Sequence, residues 1–259
     1  MPLVDTHCHL DFPLLAANRD AVLQRARDAG VSRIVVPAYQ PSDWPAVAAL
    51  PKAHPGRVFA AFGTHPWAVR DTDGDDDRDR DALARHLQTP GTVALGEIGL
   101  DFGDERPPRP RQIAQCRAQL ALACDLGLPV ILHVHRAHDE LLTLLAPFAP
   151  ALRGVIHGWT RSPQLAERYL RLGLHLGLGL SLLKPAHRHS WRTAATAPLS
   201  RLLLETDAPS AVTQGPLAPH TEPAHTALVA HELAQLRNTD AAEMARITSQ
   251  NAQQLFALS

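Results

Sequence analysis

Leu3-Val4-Asp5-Thr6-His7-Cys8-His9 opens the chain with a short apolar run that ends in ionisable side chains. A doubly wound open sheet would place a glycine-rich phosphate loop after its first strand, and this stretch contains no glycine. A closed parallel barrel instead carries its chemistry at the C-terminal ends of its strands. Seven further apolar runs follow, at 33–37, 58–62, 93–95, 130–132, 154–156, 174–178 and 201–204. Segments of helical period separate them, near 18–29, 42–50, 77–88, 111–126, 138–146, 163–172 and 186–196, and two more close the chain at 223–237 and 239–256. Gly30 and Gly127 mark helix C-termini, and Ser162 before Pro163 marks an N-terminus. The pattern predicts an α/β protein, a (β/α)8 TIM barrel occupying 1–259 as a single domain.

Composition narrows the function classes. The 259 residues carry a formal net charge of −1, which lacks the basic footprint of a protein gripping long duplex DNA. No secretory signal is read in the first ten residues, and the apolar stretch 172–183 is too interrupted to span a bilayer. Three cysteines are an odd number, and Cys116 and Cys124 fall on one predicted helix, about 12 Å apart and too far for a disulfide. A reduced, cytoplasmic protein with no membrane association is expected. The acidic run 71–81 reads as a solvated loop leading into a helix.

Ligand-type residues coincide with the predicted strand ends. His7 and His9 follow the first strand, Glu97 the fourth and Asp207 the eighth, while His133 and His157 close the fifth and sixth. In extended backbone, residues i and i+2 point the same way, so both imidazoles of His7-Cys8-His9 can reach one cation. Glu97, between Gly96 and Gly99, can bridge two cations. Asp207 can serve as ligand and as proton acceptor. Glu205, two residues earlier, points to the same side but deeper, either orienting a ligand histidine or pairing with an arginine. His135 is a second-shell candidate. His187-Arg188-His189, beside Lys184 and Arg192, reads as a solvated basic patch.

DTHCHLD at 5–11, GTHPW at 63–67, GEIGLD at 96–101, LPVILHVHRA at 128–137, VIHGW at 155–159, LLLETDAP at 202–209 and SQNAQQLF at 249–256 together resemble the TatD family of metal-dependent hydrolases, within the amidohydrolase superfamily. The resemblance implies two divalent ions, Mg²⁺, Mn²⁺ or Zn²⁺. His7, His9, Glu97 and Asp207 would hold the first, and Glu97, His133 and His157 the second. It places His65 near a scissile phosphate and implies a 3′→5′ deoxyribonuclease, so the expected partner is DNA, as single strands or 3′ ends, or another phosphoester. His135 stands where the family commonly has arginine, with Arg136 as a substitute. His220-Thr221-Glu222-Pro223 replaces an Arg-Asn-Glu-Pro motif, and Gly179-Leu180 replaces Gly-Gly. Asp207, Glu97 and His65 are the expected catalytic residues, with Arg136 or Arg161 steadying phosphoryl charge and Trp67 and Trp159 stacking a terminal base. Amide or ester hydrolysis by the same centre is the alternative. Many such amidases bridge their metals with a carboxylated lysine, and no lysine follows the fourth strand.

Overall fold

The computed structural model describes residues 2–70, 76–184, 186–210 and 219–258. Eight strands, β1 (Leu3–Asp5), β2 (Val31–Pro37), β3 (Val58–Phe62), β4 (Thr92–Asp101), β5 (Val130–His135), β6 (Gly154–Ile156), β7 (His175–Leu178) and β8 (Leu202–Leu204), pair in parallel in chain order. Beyond β8 the ring closes on β1. Thr6 N donates to the Leu204 carbonyl at 2.9 Å, Asp207 N to that of His7 at 2.9 Å, and His9 N to that of Ala208 at 2.7 Å. The buried Asp5 carboxylate secures this seam, accepting from His7 N at 3.2 Å, Thr206 N at 3.0 Å and Thr206 Oγ1 at 2.6 Å. Burial pushes its pKa up to about 7.

Around the barrel lie α1 (Pro13–Ala16), α2 (Arg19–Asp28), α3 (Trp44–Ala53), α4 (Asp76–Leu87), α5 (Arg109–Leu126), α6 (His138–Leu145), α7 (Pro163–Arg171), α8 (Arg188–Thr196), α9 (Thr226–Leu236) and α10 (Ala241–Phe256). Their ends follow the expected chemistry. Ser162 Oγ accepts from Leu165 N at the start of α7, and Gly127 ends α5 at φ +64°. α3 runs past the expected residue 50 with Pro51 inside it, a substitution that removes one N–H from a helix whose last bond, His54 N to the Leu50 carbonyl at 2.9 Å, still forms. The short α1 carries no periodic signal. The acidic run 71–81 lies in large part outside the described residues.

Two buried layers follow from strand alternation. Ile34, Val36, Leu95, Leu132, Ile156, Leu178, Leu202 and Leu204 pack outward, in the same core as the helix residues Val22, Leu120, Leu141 and Val229. Val4, Val35, Phe59, Ala61, Val93, Ile131, Val155 and Leu203 form an inner cluster joined by Ala252, Leu255 and Phe256 of α10. The inner face decides where the site falls. Two residues beyond Ile131, Val155 and Leu203 in sequence stand His133, His157 and Glu205, with Asp207 two further on. The inward-facing rows of β5, β6 and β8 therefore change from hydrocarbon to ionisable side chains at one end of the barrel.

β4 and β5 outrun their expected lengths, because Gly99–His133, Leu100–Val134 and Asp101–His135 continue the pairing. Glu97 and His133 thus sit within strands, and the register slips between Leu95 and Ile98. Gly99 permits this. Its φ is +143°, and a Cβ there would lie 2.0 Å from the His133 carbonyl oxygen. Gly99→Ala is expected to cost on the order of 3 kcal/mol from backbone strain plus overpacking, measurable as a lowered denaturation midpoint with an unchanged m-value. Unaltered stability would refute this account of the β4–β5 contact.

Candidate metal centre

Glu97 is the hub. Its carboxylate is buried, and its two oxygens face different imidazoles. Oε2 lies 3.2 Å from His7 Nε2 and 3.8 Å from His9 Nε2. Oε1 lies 2.8 Å from His157 Nε2, 3.0 Å from His133 Nδ1 and 3.3 Å from His65 Nε2. Asp207 approaches from the cleft side, with Oδ1 at 3.6 Å from His7 and 3.7 Å from His9, and its side chain is 49% exposed. All six residues expected to bind metal converge here. Ligand-type atoms fall into groups within 4.8 Å of one another, among them His7, His9 and Asp207, and His65, Glu97 and His133.

The imidazoles are oriented from behind. His9 Nδ1 lies 3.1 Å from the Pro37 carbonyl. A carbonyl only accepts, so the proton sits on Nδ1 and the Nε2 lone pair is left for a cation. His133 Nε2 meets Asp101 Oδ2 at 3.1 Å, which leaves Nδ1 facing Glu97. His157 turns Nε2 to Glu97 and Nδ1 toward Glu205 Oε1, 3.9 Å away. His65 is wired the other way. Its Nδ1 accepts from Trp67 N at 3.1 Å, so in the neutral ring the proton is on Nε2. Burial holds its pKa below the ordinary value, and its Nε2 faces Glu97 Oε1 at 3.3 Å.

Charge follows from this packing. Burial opposes the imidazolium of His157, yet the Glu97 carboxylate beside it raises its pKa to about 10. Burial likewise opposes ionisation of Glu97, but the imidazoles of His157, His65 and His7 hold it well below the usual range. Asp207 is held at about 2 against burial, by hydrogen bonding to His9 and the charge of His7. Glu205, wholly buried, rises to about 8. Its Oε1 accepts from Gly158 N at 2.5 Å, and Oε2 has no partner among the described residues. Its hydrogen-bond partner is thus a backbone amide, with His157 Nδ1 3.9 Å away, and no arginine bridge to it is found among the described residues.

This donor set fits divalent cations. Carboxylates and imidazoles crowd together, and no lysine or arginine among the described residues pairs with Glu97 or Asp207. A cation must replace protons now held by raised imidazoles. His157, at about 10, carries a proton at pH 7 that a ligand imidazole must lose, and hydrogen bonding to carboxylates shifts His9 and His133 in the same direction. Metal binding at pH 7 is therefore expected to release protons. Apparent affinity should rise with pH up to about 10, where His157 is already neutral in the metal-free protein. Calorimetry in buffers of different ionisation enthalpy reads the proton count, and a count of zero would refute this charge state.

Several residues fall elsewhere than expected. Arg136 takes φ +52° after β5, and its Nη1 donates to Asp104 at 3.2 Å on the exposed surface. The partner the structure shows for it is thus Asp104 and not one of the six clustered residues. His135 is exposed and lines the cleft beside the centre. Trp159 is buried, with Nε1 donating to the Arg161 carbonyl at 3.0 Å, and only Trp67 of the two tryptophans stands open at the mouth, 43% exposed. Glu222 accepts from Arg25 Nε and Nη2 at 2.7 Å, away from the cluster.

Sequence reasoning missed Asp101 and Arg106. Asp101 joins His133 to Trp67, whose indole Nε1 donates to Oδ2 at 2.7 Å, and the Arg106 guanidinium lies 3.8 Å over the Trp67 ring. Asp101 closes the GEIGLD motif, and its two-residue spacing from Gly99 was the available signal.

An eight-stranded barrel with a His/Glu/Asp cluster at its C-terminal mouth defines a metal-dependent hydrolase. The family model described as TatD related DNase matches residues 4–257, and the chain belongs to that family. It is 39% identical over 255 residues to the metal-dependent hydrolase YjjV of Escherichia coli K12, covering 98% of this chain and 97% of that one. The YjjV crystal structure matches with a TM-score of 0.90 at 38% identity, covering 99% and 98% of the two chains. The 3′-5′ ssDNA/RNA exonuclease TatD of Erwinia tasmaniensis is 32% identical, covering 99% and 100%. Among the described residues no helix is long and apolar enough to cross a membrane.

Proposed function

We propose that this chain, as one hydrolase domain over 1–259, hydrolyses phosphodiester bonds at the 3′ end of single-stranded nucleic acid, with two divalent cations that His7, His9, Glu97, His133, His157 and Asp207 would hold. The observation that carries this reading is the division of the two Glu97 oxygens between His7 and His9 on one side and His133 and His157 on the other. A single carboxylate placed so can offset the repulsion of two cations. Mixed imidazole and carboxylate donors suit Mg²⁺, Mn²⁺ or Zn²⁺. When bound, the cations supply hydroxide from water at neutral pH and positive charge opposite the phosphoryl oxygens.

The chain's own groups supply the rest. Asp207, ionised across the neutral range and half-exposed at the cleft, orients the attacking water and takes its proton. His65, proton on Nε2, donates to a phosphoryl oxygen. Asp101 fixes the ring of His133 by its 3.1 Å hydrogen bond, and the Glu205 carboxylate faces Nδ1 of His157 at 3.9 Å. The exonuclease named among the relatives supports the strand and its 3′ end. Phe12, Tyr39 and Trp67 border a cavity of about 330 Å³ against the centre, where a terminal base can stack. The amidase alternative lacks its bridging group, since the two lysines, Lys52 and Lys184, are both exposed and lie outside the ligand cluster. Three unpaired cysteines support a cytoplasmic site of action.

The test is a metal-stripped sample assayed on 5′-labelled oligonucleotides. Restoration by Mg²⁺, Mn²⁺ or Zn²⁺ of stepwise shortening from the 3′ end is the expected result. Two bound ions per chain with no phosphodiester cleavage would overturn the reading.

A further inference from the structure

The cleft is not symmetric about the centre. On one side, the cavity against Phe12 and Tyr39 has no arginine or lysine among the described residues of its wall. On the other, a second cavity of about 360 Å³ is bordered by Arg106, His135 and Arg161, all exposed. Trp67 stands between the two cavities. Arg106 lays one face on that indole, and its Nε is 3.7 Å from Asp101 Oδ1, beyond hydrogen-bond distance.

The cationic wall continues beyond the cavity. Residues 157–161 form its far side, and α8 is fastened to them. Ser190 Oγ donates to the Trp159 carbonyl at 3.4 Å, and Thr193 Oγ1 to the Arg161 carbonyl at 2.8 Å. With Ser190 and Thr193 turned to that loop, Arg188 and Arg192, four residues apart, share an exposed face with Cβ atoms about 5–6 Å apart. Lys184 is exposed just before the helix. The sequence contains no aspartate or glutamate between Glu167 and Glu205, so this segment offers no acid of its own to neutralise them. α8 follows β7 and so begins at the barrel end that holds the cluster. The basic patch is thus the outward extension of one wall of the cleft.

Resting on the phosphodiesterase reading above, we propose that this surface is a track for the body of the substrate strand. The terminal nucleoside enters the aromatic cavity. The scissile phosphate lies at the centre. The following phosphates pass Arg106 and Arg161, then cross α8 at Arg188 and Arg192 with Lys184 alongside. A single strand fits because it bends from a deep cavity onto a helix surface, and because recognition rests on phosphate charge with one aromatic platform, without base-edge readout.

The test combines Arg188→Glu with Arg192→Glu, and a milder Arg188→Ala/Arg192→Ala pair, in the metal-loaded enzyme. Both positions are exposed and outside the centre, and melting curves matching wild type will verify folding. Hydrolysis of bis(p-nitrophenyl) phosphate, which has no strand to follow, should be unchanged, as should KM for a dinucleotide. For a twelve-nucleotide strand the double reversal should raise KM at least tenfold at low salt with kcat retained. Binding of a 5′-labelled, cleavage-resistant phosphorothioate strand, followed by anisotropy, should lose about 1.4 from its log–log salt slope, at about 0.7 per phosphate contact. Equal length dependence and equal salt slope in variant and wild type would overturn the track. Failure of the wild type on every phosphodiester would instead overturn the catalytic reading, and the anisotropy series would still decide the track.

Discussion

Glu97→Gln is expected to break the centre into unconnected halves, with metal content falling to one ion per chain or fewer and kcat/KM dropping at least a thousandfold. Glutamine keeps the shape, so the loss isolates the charge. The cations it would hold are worth several kcal/mol to a transition state that gathers negative charge, and each 1.36 kcal/mol is tenfold in rate. A second readout needs no activity. The Glu97 carboxylate lifts His157 to about 10 against burial, so in the metal-free variant that titration should fall by several units, which NMR of the imidazole resolves. Two ions per chain with wild-type turnover would refute the bridging role. An unmoved His157 titration would refute the electrostatic account separately.

Asp207→Asn should leave the fold intact and remove the chemistry. Asp207 has φ +51°, a region that asparagine tolerates better than most residues, and its backbone N–H still reaches the His7 carbonyl. The carboxylate is ionised down to about pH 2, so wild-type activity should not fall through loss of this base until far below neutrality. Asparagine cannot accept the proton, and a loss of roughly 10²–10⁴-fold in kcat is expected for general-base catalysis, with a smaller effect on KM. Steady-state kinetics beside a melting curve distinguishes the outcomes. A variant that melts like wild type and turns over within tenfold of it would place the proton acceptor elsewhere.

Both predictions concern residues visible in the sequence, for a physical reason. A barrel strand alternates faces with a period of two, and its active residues stand at its C-terminal end. An apolar run that stops at a histidine, glutamate or aspartate therefore gives side-chain direction and location together. His133 after Ile131, His157 after Val155, and Asp207 after Glu205 and Leu203 are cases of that rule. The glycine at 99 signals the close β4–β5 approach in the same way.

Residues outside the strands obeyed no such rule. Arg136 stands one residue past β5, where φ +52° turns it to Asp104, and a backbone inversion of that kind has no period to reveal it. Trp159 and Trp67 are alike in composition, but one is enclosed between the barrel and α7 beside Tyr169 and the other is open under Arg106. The His187-Arg188-His189 patch reads as isolated surface until the hydrogen bonds of Ser190 and Thr193 place it against the cleft wall.

The sequence by itself determined the barrel, its strand order and which histidine, glutamate and aspartate side chains converge, because these follow from local periodicity and from where each run ends. Only the tertiary structure decided the protonation and direction of each group. His65 is a donor because Trp67 N occupies its Nδ1. His9 presents Nε2 because its Nδ1–H donates to the Pro37 carbonyl. Glu97 divides its two oxygens because histidines from four different strand ends meet around it. Those contacts join residues tens of positions apart, and their energies depend on burial that no single segment of the chain encodes.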